Sequence, residues 1–500
     1  MRSHRTGKQT NHNRRRYAKH QPLQKYLLAP ILCLTAALGF SLTGCGGGTM
    51  HPPSSTSSRF KKAATQQWIR QFGTGTVSHG DDQGDSLTGI ATDSQGNVVA
   101  AGFTTGTFPG FTNANGAPQD FVAKFSPAGT QLWLQQFGTP NGDELAGDAV
   151  DAQSNIALAG VTRGAFPGFS NPNHNLQTMV EKLDSSGHLL WRQQFSVATT
   201  TTVAGVATDN QGNVFLSGEL SPSPYPNQTA LLNVGFPAFG TIMPMSPMRL
   251  YVEKLNGATG AQEWIQVFGN ENATDTVSGI AVDGQGDPVL VGTSSGTFPG
   301  NVYPTDMNAS LPFVLKLSGT TGNALWLQQP TMSSFPSGYF YNAVAVNAAG
   351  NVVVDGQGLV QSVGAPQCLL FEFSGADGHT IWNQYFGGGQ QSLVGGLSIA
   401  SDGSILVGGF ARGAFLPAFT ANIDDVFVAK FTPAGKPVSI QQFGTGKEIE
   451  AQDSQTSSPI AVATDAQNDT FVGGMTTGAF PGSKNPNGAQ EIFVAKFGPQ

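Results

Sequence analysis

GIATDSQGNVVAAG at residues 89–102, followed by FVAKF at 121–125 and WLQQFG at 133–138, is the stretch that decides the fold. Val, Ile and Phe alternate with small or polar residues in these runs, which is the pattern of short β-strands. A tight turn lies between the first two runs, where Gly96 supplies a positive φ and the Asp93 side chain caps the turn. The stretch therefore predicts four consecutive strands.

Copies of this unit follow one another along the chain. Aligned on the last run, the copies place all six tryptophans at one position and Ser439 at the same position of a seventh copy, with spacings of 65, 58, 73, 62, 56 and 57 residues. Self-similarity at such a period indicates a solenoid, a propeller or an array. The 65 Gly, 30 Pro and 11% charged residues fit a turn-rich β-protein and not a helical one. The aligned tryptophans are Trp68, Trp133, Trp191, Trp264, Trp326 and Trp382.

Seven units of four strands predict an all-β fold with a single seven-bladed β-propeller, which removes long sheet edges by closing on itself. The order of the strands supports closure. The repeats start with an outer strand at 68–73 that has no preceding blade, and they end on a third strand at 493–497 that has no outer strand after it. The N-terminal strand would then complete the last blade. An open solenoid is the alternative, but it would need polar capping units, and the sequence shows none.

The repeat resembles the SBBP repeats, a seven-bladed propeller family of bacterial extracytoplasmic proteins. GIAVDGQGD (279–287), VGTSSGTFPG (291–300) and the FVAKF runs carry the resemblance, which covers nearly all of 66–500. It implies the fold and an exported location. It implies no particular chemistry, since propellers carry many functions.

The N-terminus has the three zones of an export signal. Eight basic residues precede a fourteen-residue apolar run at 27–40, which is too short to span a bilayer and suits a signal peptide. Leu42-Thr43-Gly44-Cys45 resembles the bacterial lipobox, which implies that residues 1–44 are removed and that Cys45 is lipidated. We therefore expect a protein anchored to the cell membrane or outer membrane, with a flexible tether at 45–66 and the propeller at 67–500 in the periplasm or at the cell surface.

The charge of the mature body excludes one class of partner. The whole chain has 25 basic and 32 acidic residues, and eight of the basic ones lie in 1–44, which leaves 17 basic against 32 acidic residues. A body with a formal charge of −15 repels nucleic acid. A monomer without a nucleic-acid partner is expected. Cys368 is then the one cysteine of the body, and its apolar strand context predicts a buried structural thiol.

The strand order sorts the connections into two faces. The turns from first to second strand and from third to outer strand are short, and they define what we call the short-turn end. The other connections are long and meet at the opposite end, the long-loop face, which is the predicted binding face. Loop 219–249 is the outlier, rich in Pro, Met and apolar residues, and is either a partner site or a cover over the channel. The long connections lie at 74–88, 138–145, 269–277, 444–459, 104–120, 162–178, 219–249, 293–312, 410–425 and 476–491.

Four acids recur just before the inner strand: Asp85, Asp143, Asp275 and Asp453. They would ring the channel mouth, where Ca²⁺ is the cation they would hold. The competing and favoured interpretation is that they are turn acids or caps, since isolated carboxylates lack the oxygen density of a Ca²⁺ loop. Apart from this Ca²⁺ hypothesis, no cofactor is expected.

Three further features recur at fixed repeat positions. Phe-Pro-Gly occurs at 108–110, 166–168, 298–300 and 480–482, and either binds glycans through Phe and nearby Asn residues or plugs the space between blades. The Trp row has the same two interpretations, glycan binding or packing between blades. Packing is favoured for the Phe-Pro-Gly turns and for the Trp row. A row of lysines, replaced by Glu372 in the fifth repeat, is interpreted as surface charge that discourages strand pairing. These lysines are Lys124, Lys182, Lys254, Lys316, Lys430 and Lys496.

No catalytic signature is present in the sequence. Metal-binding spacings, a Gly-x-Ser-x-Gly elbow and a phosphate-binding loop are all absent, and His188 and His379 occupy equivalent turn positions. The sequence therefore favours a non-enzymatic, lipid-anchored scaffold that binds envelope protein or polysaccharide. The alternative is a propeller lyase or hydrolase with acid–base residues from several blades lining the funnel.

Overall fold

The computed structural model is built of β-strands arranged as seven blades, and no helix occurs among the residues it describes. These residues are 61–62, 65–76, 84–197, 200–221, 248–269, 273–296, 298, 311–329, 339–360, 365–387, 391–412, 415, 424–445 and 460–499. Residues 1–44, predicted to be a signal peptide, and Cys45 lie outside them, as do residues 222–247 of the outlier loop. None of the described residues forms a helix long and apolar enough to cross a membrane.

Strands are numbered in chain order. The chain enters with β1 (Lys61–Lys62) and β2 (Gln66–Phe72). Blade 1 contains β3 (Asp85–Thr92), β4 (Val98–Thr104), β5 (Gln119–Phe125) and β6 (Gln131–Phe137); blade 2 contains β7 (Asp143–Val150), β8 (Ile156–Thr162), β9 (Gln177–Leu183) and β10 (Leu189–Phe195). Blade 3 contains β11 (Thr200–Thr201), β12 (Gly205–Thr208), β13 (Val214–Ser221), β14 (Arg249–Leu255) and β15 (Gln262–Phe268).

The remaining blades follow the same order. Blade 4 contains β16 (Asp275–Val282), β17 (Pro288–Ser294), β18 (Leu311–Leu317) and β19 (Ala324–Gln328); blade 5 contains β20 (Phe340–Val346), β21 (Val352–Val360), β22 (Ala365–Phe373) and β23 (Thr380–Phe386). Blade 6 contains β24 (Gln391–Ile399), β25 (Ile405–Arg412), β26 (Asp424–Phe431) and β27 (Pro437–Phe443), and blade 7 contains β28 (Ala461–Thr464), β29 (Thr470–Thr476) and β30 (Glu491–Phe497). Each blade is an antiparallel meander, so the short turns and the long loops lie at opposite ends.

The predicted closure is confirmed. β2 pairs antiparallel with β30, with Trp68 opposite Lys496, and thereby supplies the fourth strand of blade 7. Seven hydrophobic clusters fill the spaces between consecutive blades, and one of them joins Phe471 of blade 7 to Phe121 of blade 1. Burial of a Phe side chain contributes about 1.5–3 kcal/mol, so these clusters hold the ring together.

The inner strands begin earlier than the sequence pattern predicts. β3 starts at Asp85, and its pairing with β4 shifts register between Leu87 and Gly89, which marks a β-bulge. The same shift occurs in β7 between Leu145 and Gly147. A bulge interrupts the two-residue alternation, so the residues before it do not show a strand period in the sequence.

Ser439 stands where the other outer strands have Trp, and the closure explains why. In blades 1 to 5 and in the closing strand, the Trp side chain packs on the third-to-outer turn of the following blade. Blade 7 has no such turn, because its outer strand comes from the N-terminus. The chain itself passes there instead, with Lys61 of β1 paired in parallel with Ser439 of β27.

Candidate functional site

Three of the four predicted channel-mouth acids lie inside the protein. Asp85, Asp143 and Asp275 are at most 1% exposed. Asp85 accepts hydrogen bonds from the Thr104 hydroxyl (2.6 Å) and from the Thr74 backbone N–H (2.6 Å). Asp275 accepts one from Ser294. Burial raises the pKa of Asp85 and of Asp143, and the hydroxyl and backbone donors partly offset this.

These acids sit in three different blades, one at the start of each inner strand, and Asp85 and Asp143 accept hydrogen bonds from Thr74 and Thr139 of the entering loops. Asp453 lies outside the described residues. Among the described residues, no three His, Cys, Asp or Glu side chains are placed to hold a metal ion.

The Trp row joins neighbouring blades, as the packing interpretation predicts. The Trp68 indole N–H donates to the carbonyl of Pro127 in the following blade (3.0 Å), and Trp191 donates in the same way to Gly257 (3.0 Å). Each indole also lies on a turn glycine with positive φ: a Cβ at Gly129 (φ +78°) would lie 2.8 Å from the Trp68 ring. The tryptophans therefore contribute to the packing between blades.

The interpretation of the lysine row as surface charge is wrong. Lys124 is 3% exposed, and its Nζ lies 2.8 Å from Oδ2 of Asp93 in the first-to-second turn of its own blade. The Lys124 ammonium also donates to the carbonyl of Ser185 in the next blade (2.9 Å). A buried ammonium needs such a partner, because an isolated buried charge is very costly. Lys182–Asp151 and Lys316–Asp283 are equivalent pairs, and Lys430 and Lys496 pair with acids at other positions of their turns, Asp402 (3.5 Å) and Asp469 (2.7 Å).

Glu372, the exception in this row, has a matching exception in its turn. Its turn begins with Asn347 in place of Asp, and the amides of Asn347 and Asn351 both donate to Glu372 Oε1 at 2.9 Å. The buried charge is reversed and its partner changes with it. In blade 3, Lys254 pairs instead with Glu263 (3.1 Å).

The Phe-Pro-Gly turns are also structural. Phe108 is 3% exposed, packs between blades and is held by a hydrogen bond from its N–H to Gln136 of the outer strand (2.8 Å). The Asn113 amide donates to three backbone carbonyls of its own loop. Neither group is free for a glycan. The equivalent Phe166, Phe298 and Phe480 are buried as well.

A small cleft opens on the long-loop face of blade 2. It has a volume of about 100 Å³ and is lined by Glu144, Arg163 and Asn141 above Pro118 and Leu176. Burial raises the pKa of Glu144, and the neighbouring Arg163 guanidinium partly offsets this. The cleft therefore presents one carboxyl, one guanidinium and one amide, with an apolar floor.

The wall of this cleft is rigid. The Asn171 amide donates to the carbonyl of Arg163 (3.1 Å), and the Arg163 N–H donates to the carbonyl of Gly142 (3.0 Å). His174, which has a φ of +52°, places its Nδ1 at 2.5 Å from the Asn141 amide. The backbone of the cleft wall is thus held in place before any ligand arrives, which lowers the entropic cost of binding.

Behind the cleft, the contact between blades 1 and 2 is unusually polar. Glu181 stands in the third strand of blade 2 where blade 1 has Ala123, and its carboxylate accepts from Arg192 Nε (2.5 Å). Asp120 of blade 1 accepts from the Leu145 N–H (2.9 Å), while its Oδ2 has no partner among the described residues. Burial, with Asp143 and Glu181 nearby, raises the pKa of Asp120 well above its usual range.

Asp148 adds a carboxyl to the same interface. Both of its oxygens are buried without a hydrogen-bond partner among the described residues, and burial raises its pKa to about 7. It shares one face of the sheet with Leu158 and Glu181, and a Cβ at Gly89 of blade 1 would overlap it. The other blades have aliphatic residues at this position: Ile90, Val206, Ile280, Val344, Leu397 and Val462.

Sequence reasoning did not identify the cleft or this interface. A signal was present, because MVEKL (179–183) departs from FVAKF and GDAVD (147–151) departs from GIATD. Cys368 is buried as predicted, and the carboxyl of Asp355 is near enough to add to the burial effect that raises the thiol pKa. His188 and His379 are exposed and pair with Asp184 and Asp377.

No protein-family model matches the chain, and no curated protein matches it. Its fold is similar to that of a protein of unknown function from Dyadobacter fermentans (9% identity, 86% of this chain and 99% of that chain, TM-score 0.40). It is also similar to the β-propeller domain of the Trilobed protease from Pyrococcus furiosus (8% identity, 84% of this chain and 96% of that chain, TM-score 0.42). A gluconolactonase from Xanthomonas campestris is similar as well (13% identity, 83% of this chain and 87% of that chain, TM-score 0.33). Likeness of this degree transfers no function to this chain.

Proposed function

We propose that this protein is a lipid-anchored binding scaffold of the bacterial envelope that captures polysaccharide on its long-loop face. The observation that carries the proposal is the division of labour among its polar residues. The Trp, Lys and Phe-Pro-Gly positions that recur along the chain bond within and between blades, whereas Asn141, Glu144 and Arg163 line an open cleft on the face with long connections, with His174 beside Asn141. The recurring residues support the ring, and the polar residues of the cleft are available to a ligand.

The chemistry of the cleft favours polysaccharide over protein. Amide, guanidinium and carboxyl groups on a rigid wall suit the donor and acceptor pattern of sugar hydroxyls. Protein interfaces depend on buried aromatic and aliphatic anchors. The cleft offers little of this kind, since Leu176 is buried and the exposed large aliphatic residues that the structure describes lie mainly at the short-turn end.

Affinity electrophoresis through gels that contain neutral or uronate-bearing polysaccharides tests the binding proposal. Arg163→Ala should weaken retardation roughly tenfold, the effect of one charge-assisted hydrogen bond. The backbone at Arg163 is held by Asn171 and Gly142, so the loop should stay in place. Thr320→Ala, in an exposed turn at the short-turn end, is the matched control.

Equal retardation of wild type and Arg163→Ala in every gel would overturn the cleft as the polysaccharide site. Loss of a co-purifying protein in Arg163→Ala, without any polysaccharide retardation, would replace polysaccharide by protein as the ligand. Release of reducing ends from a retarded polysaccharide would support the alternative, a hydrolase or lyase.

Anchoring is tested separately. Cys45→Ala should move the protein from the membrane fraction to the soluble fraction, because acyl chains supply the membrane affinity. Unchanged membrane retention of the variant would refute the lipid anchor.

A further inference from the structure

Every outer strand carries a β-bulge one residue before the Trp position. In β6, for example, Gln131 pairs with Phe125 and Trp133 pairs with Lys124, so Leu132 has no cross-strand partner. A bulge re-aims the extra side chain and bends the strand. The seven bulge residues lie at the short-turn end of the outer rim: Gln67, Leu132, Leu190, Glu263, Leu325, Ile381 and Val438.

Four of these bulge residues expose large aliphatic side chains. Leu132 is 51% exposed, Leu190 52%, Leu325 53% and Ile381 45%. Single exposed aliphatic residues need no explanation, but these four share one structural position on one end of the ring. Leu189, beside Leu190, is 47% exposed as well.

Several acids of the short-turn end have a basic partner. In five blades a lysine of the buried row pairs with one acid of the first-to-second turn, whereas Asp209 and Asp287 have no such partner among the described residues, and the two exposed histidines lie beside aspartates. The paired acids are Asp93, Asp151, Asp283, Asp402 and Asp469. The paired acids keep their lysine partners when this end approaches an uncharged surface, which lowers the cost of removing water from them.

The chain joins the propeller at this same end. Gln66, the first residue of β2, pairs with Phe497, the last residue of the third strand of blade 7, and Lys61 pairs near the start of β27. Cys45 precedes Lys61 by 16 residues. A Gly/Ser-rich tether of that length has a root-mean-square span of roughly 20–24 Å. The strand height of a seven-residue blade is about 23 Å. With the long-loop face toward the bilayer, the tether would have to cover that whole height.

We propose that the short-turn end is a membrane-docking face, on which Leu132, Leu190, Leu325 and Ile381 seat the propeller on a bilayer of zwitterionic lipids. The long-loop face then points away from the membrane toward its ligand. This inference rests on the proposed anchor at Cys45. The scattered aliphatic ring suits a flat, laterally uniform lipid surface.

The tryptophans provide a direct test. All six lie at the short-turn end, each directly after a bulge residue, so intrinsic fluorescence reads this end alone. The lipidated full-length protein is reconstituted into phosphatidylcholine vesicles with bromine on the acyl chains, and quenching is compared with unbrominated vesicles. Docking should quench much of the emission.

The matched variant replaces the four aliphatic bulge residues by Thr, and the control variant replaces the polar bulge residue Gln67 by Thr. The first should lose most of the quenching while still floating with the vesicles, and the control should keep it. Thermal melting checks that both fold. If the fourfold variant is unfolded, a Leu132→Thr, Leu190→Thr pair is used in its place.

Flotation separates the two proposals. A wild type that floats with vesicles but is not quenched would overturn the docking face and leave the anchor standing. A wild type that does not float would overturn both. Equal quenching of wild type and the folded bulge variant would also overturn the docking role of these residues.

Discussion

Replacing Asp148 by Val should stabilise the protein at pH 8 and remove part of its pH dependence. Burial raises the pKa of Asp148 to about 7, against an ordinary value of 3.8. Between these values the folded state holds a proton that the unfolded state has released. The contribution of Asp148 to the free energy of unfolding is therefore fully present at low pH and is lost as the pH rises toward 7. From pH 5 to pH 8 the loss amounts to about 2–3 kcal/mol for a single site with these pKa values.

Valine fits this position, because Val206 occupies it in blade 3 and packs against Gly147 just as Asp148 packs against Gly89. Urea unfolding of wild type, Asp148→Val and Asp148→Asn at pH 5 and pH 8 measures the effect. Asp355 and Glu253, whose pKa values burial raises to about 8, are present in all three proteins and cancel in the comparison. If wild type and both variants lose the same stability between pH 5 and pH 8, Asp148 is not the buried titrating group that we describe.

Two further perturbations test the interior. Lys124→Glu should lower the free energy of unfolding by about 3–5 kcal/mol, because the new carboxylate faces Asp93 in a buried site. Adding Asp93→Asn recreates the Glu372–Asn347 arrangement of blade 5, and in a double-mutant cycle it should recover at least about 2 kcal/mol of that loss. Additive effects would contradict the exchange. Gly129→Ala should lower the free energy of unfolding, measured by thermal melting, by about 1–3 kcal/mol more than Gly110→Ala does. Both glycines have positive φ, but a Cβ at Gly129 would also meet the Trp68 ring, whereas a Cβ at Gly110 meets nothing within 4 Å. Equal losses would show that backbone strain alone matters.

Much of the architecture follows from local sequence. Period-two alternation places the strands, turn glycines such as Gly96 fix the hairpins, and the repeat number fixes seven blades. The same repetition predicts closure, because an unpaired outer strand at one terminus matches a missing one at the other. The strands and turns depend on near neighbours in the chain, so the sequence displays them directly, whereas the closure follows from comparing the first and last copies of the repeat.

The partners of charged residues were decided at longer range. Lys124 and Asp93 are 31 residues apart in sequence, and Lys124 looks like a surface strand residue until the blade register brings it over the turn. Asp148 and Gly89 belong to different blades, and a bulge precedes each of them on its inner strand. A bulge changes which side chains face each other, and strand alternation does not encode it.

The sequence by itself therefore determined a seven-bladed ring, its closing strand and the two unlike ends. The tertiary structure alone decided that the recurring Lys residues are buried with acid partners, that the polar cleft lies on blade 2, and that four bulge residues expose aliphatic side chains at the short-turn end. The physical reason is that strands and turns follow from the periodicity of neighbouring residues in the chain. Burial and charge pairing depend on contacts between blades, and these contacts form only once the strands are in their folded register.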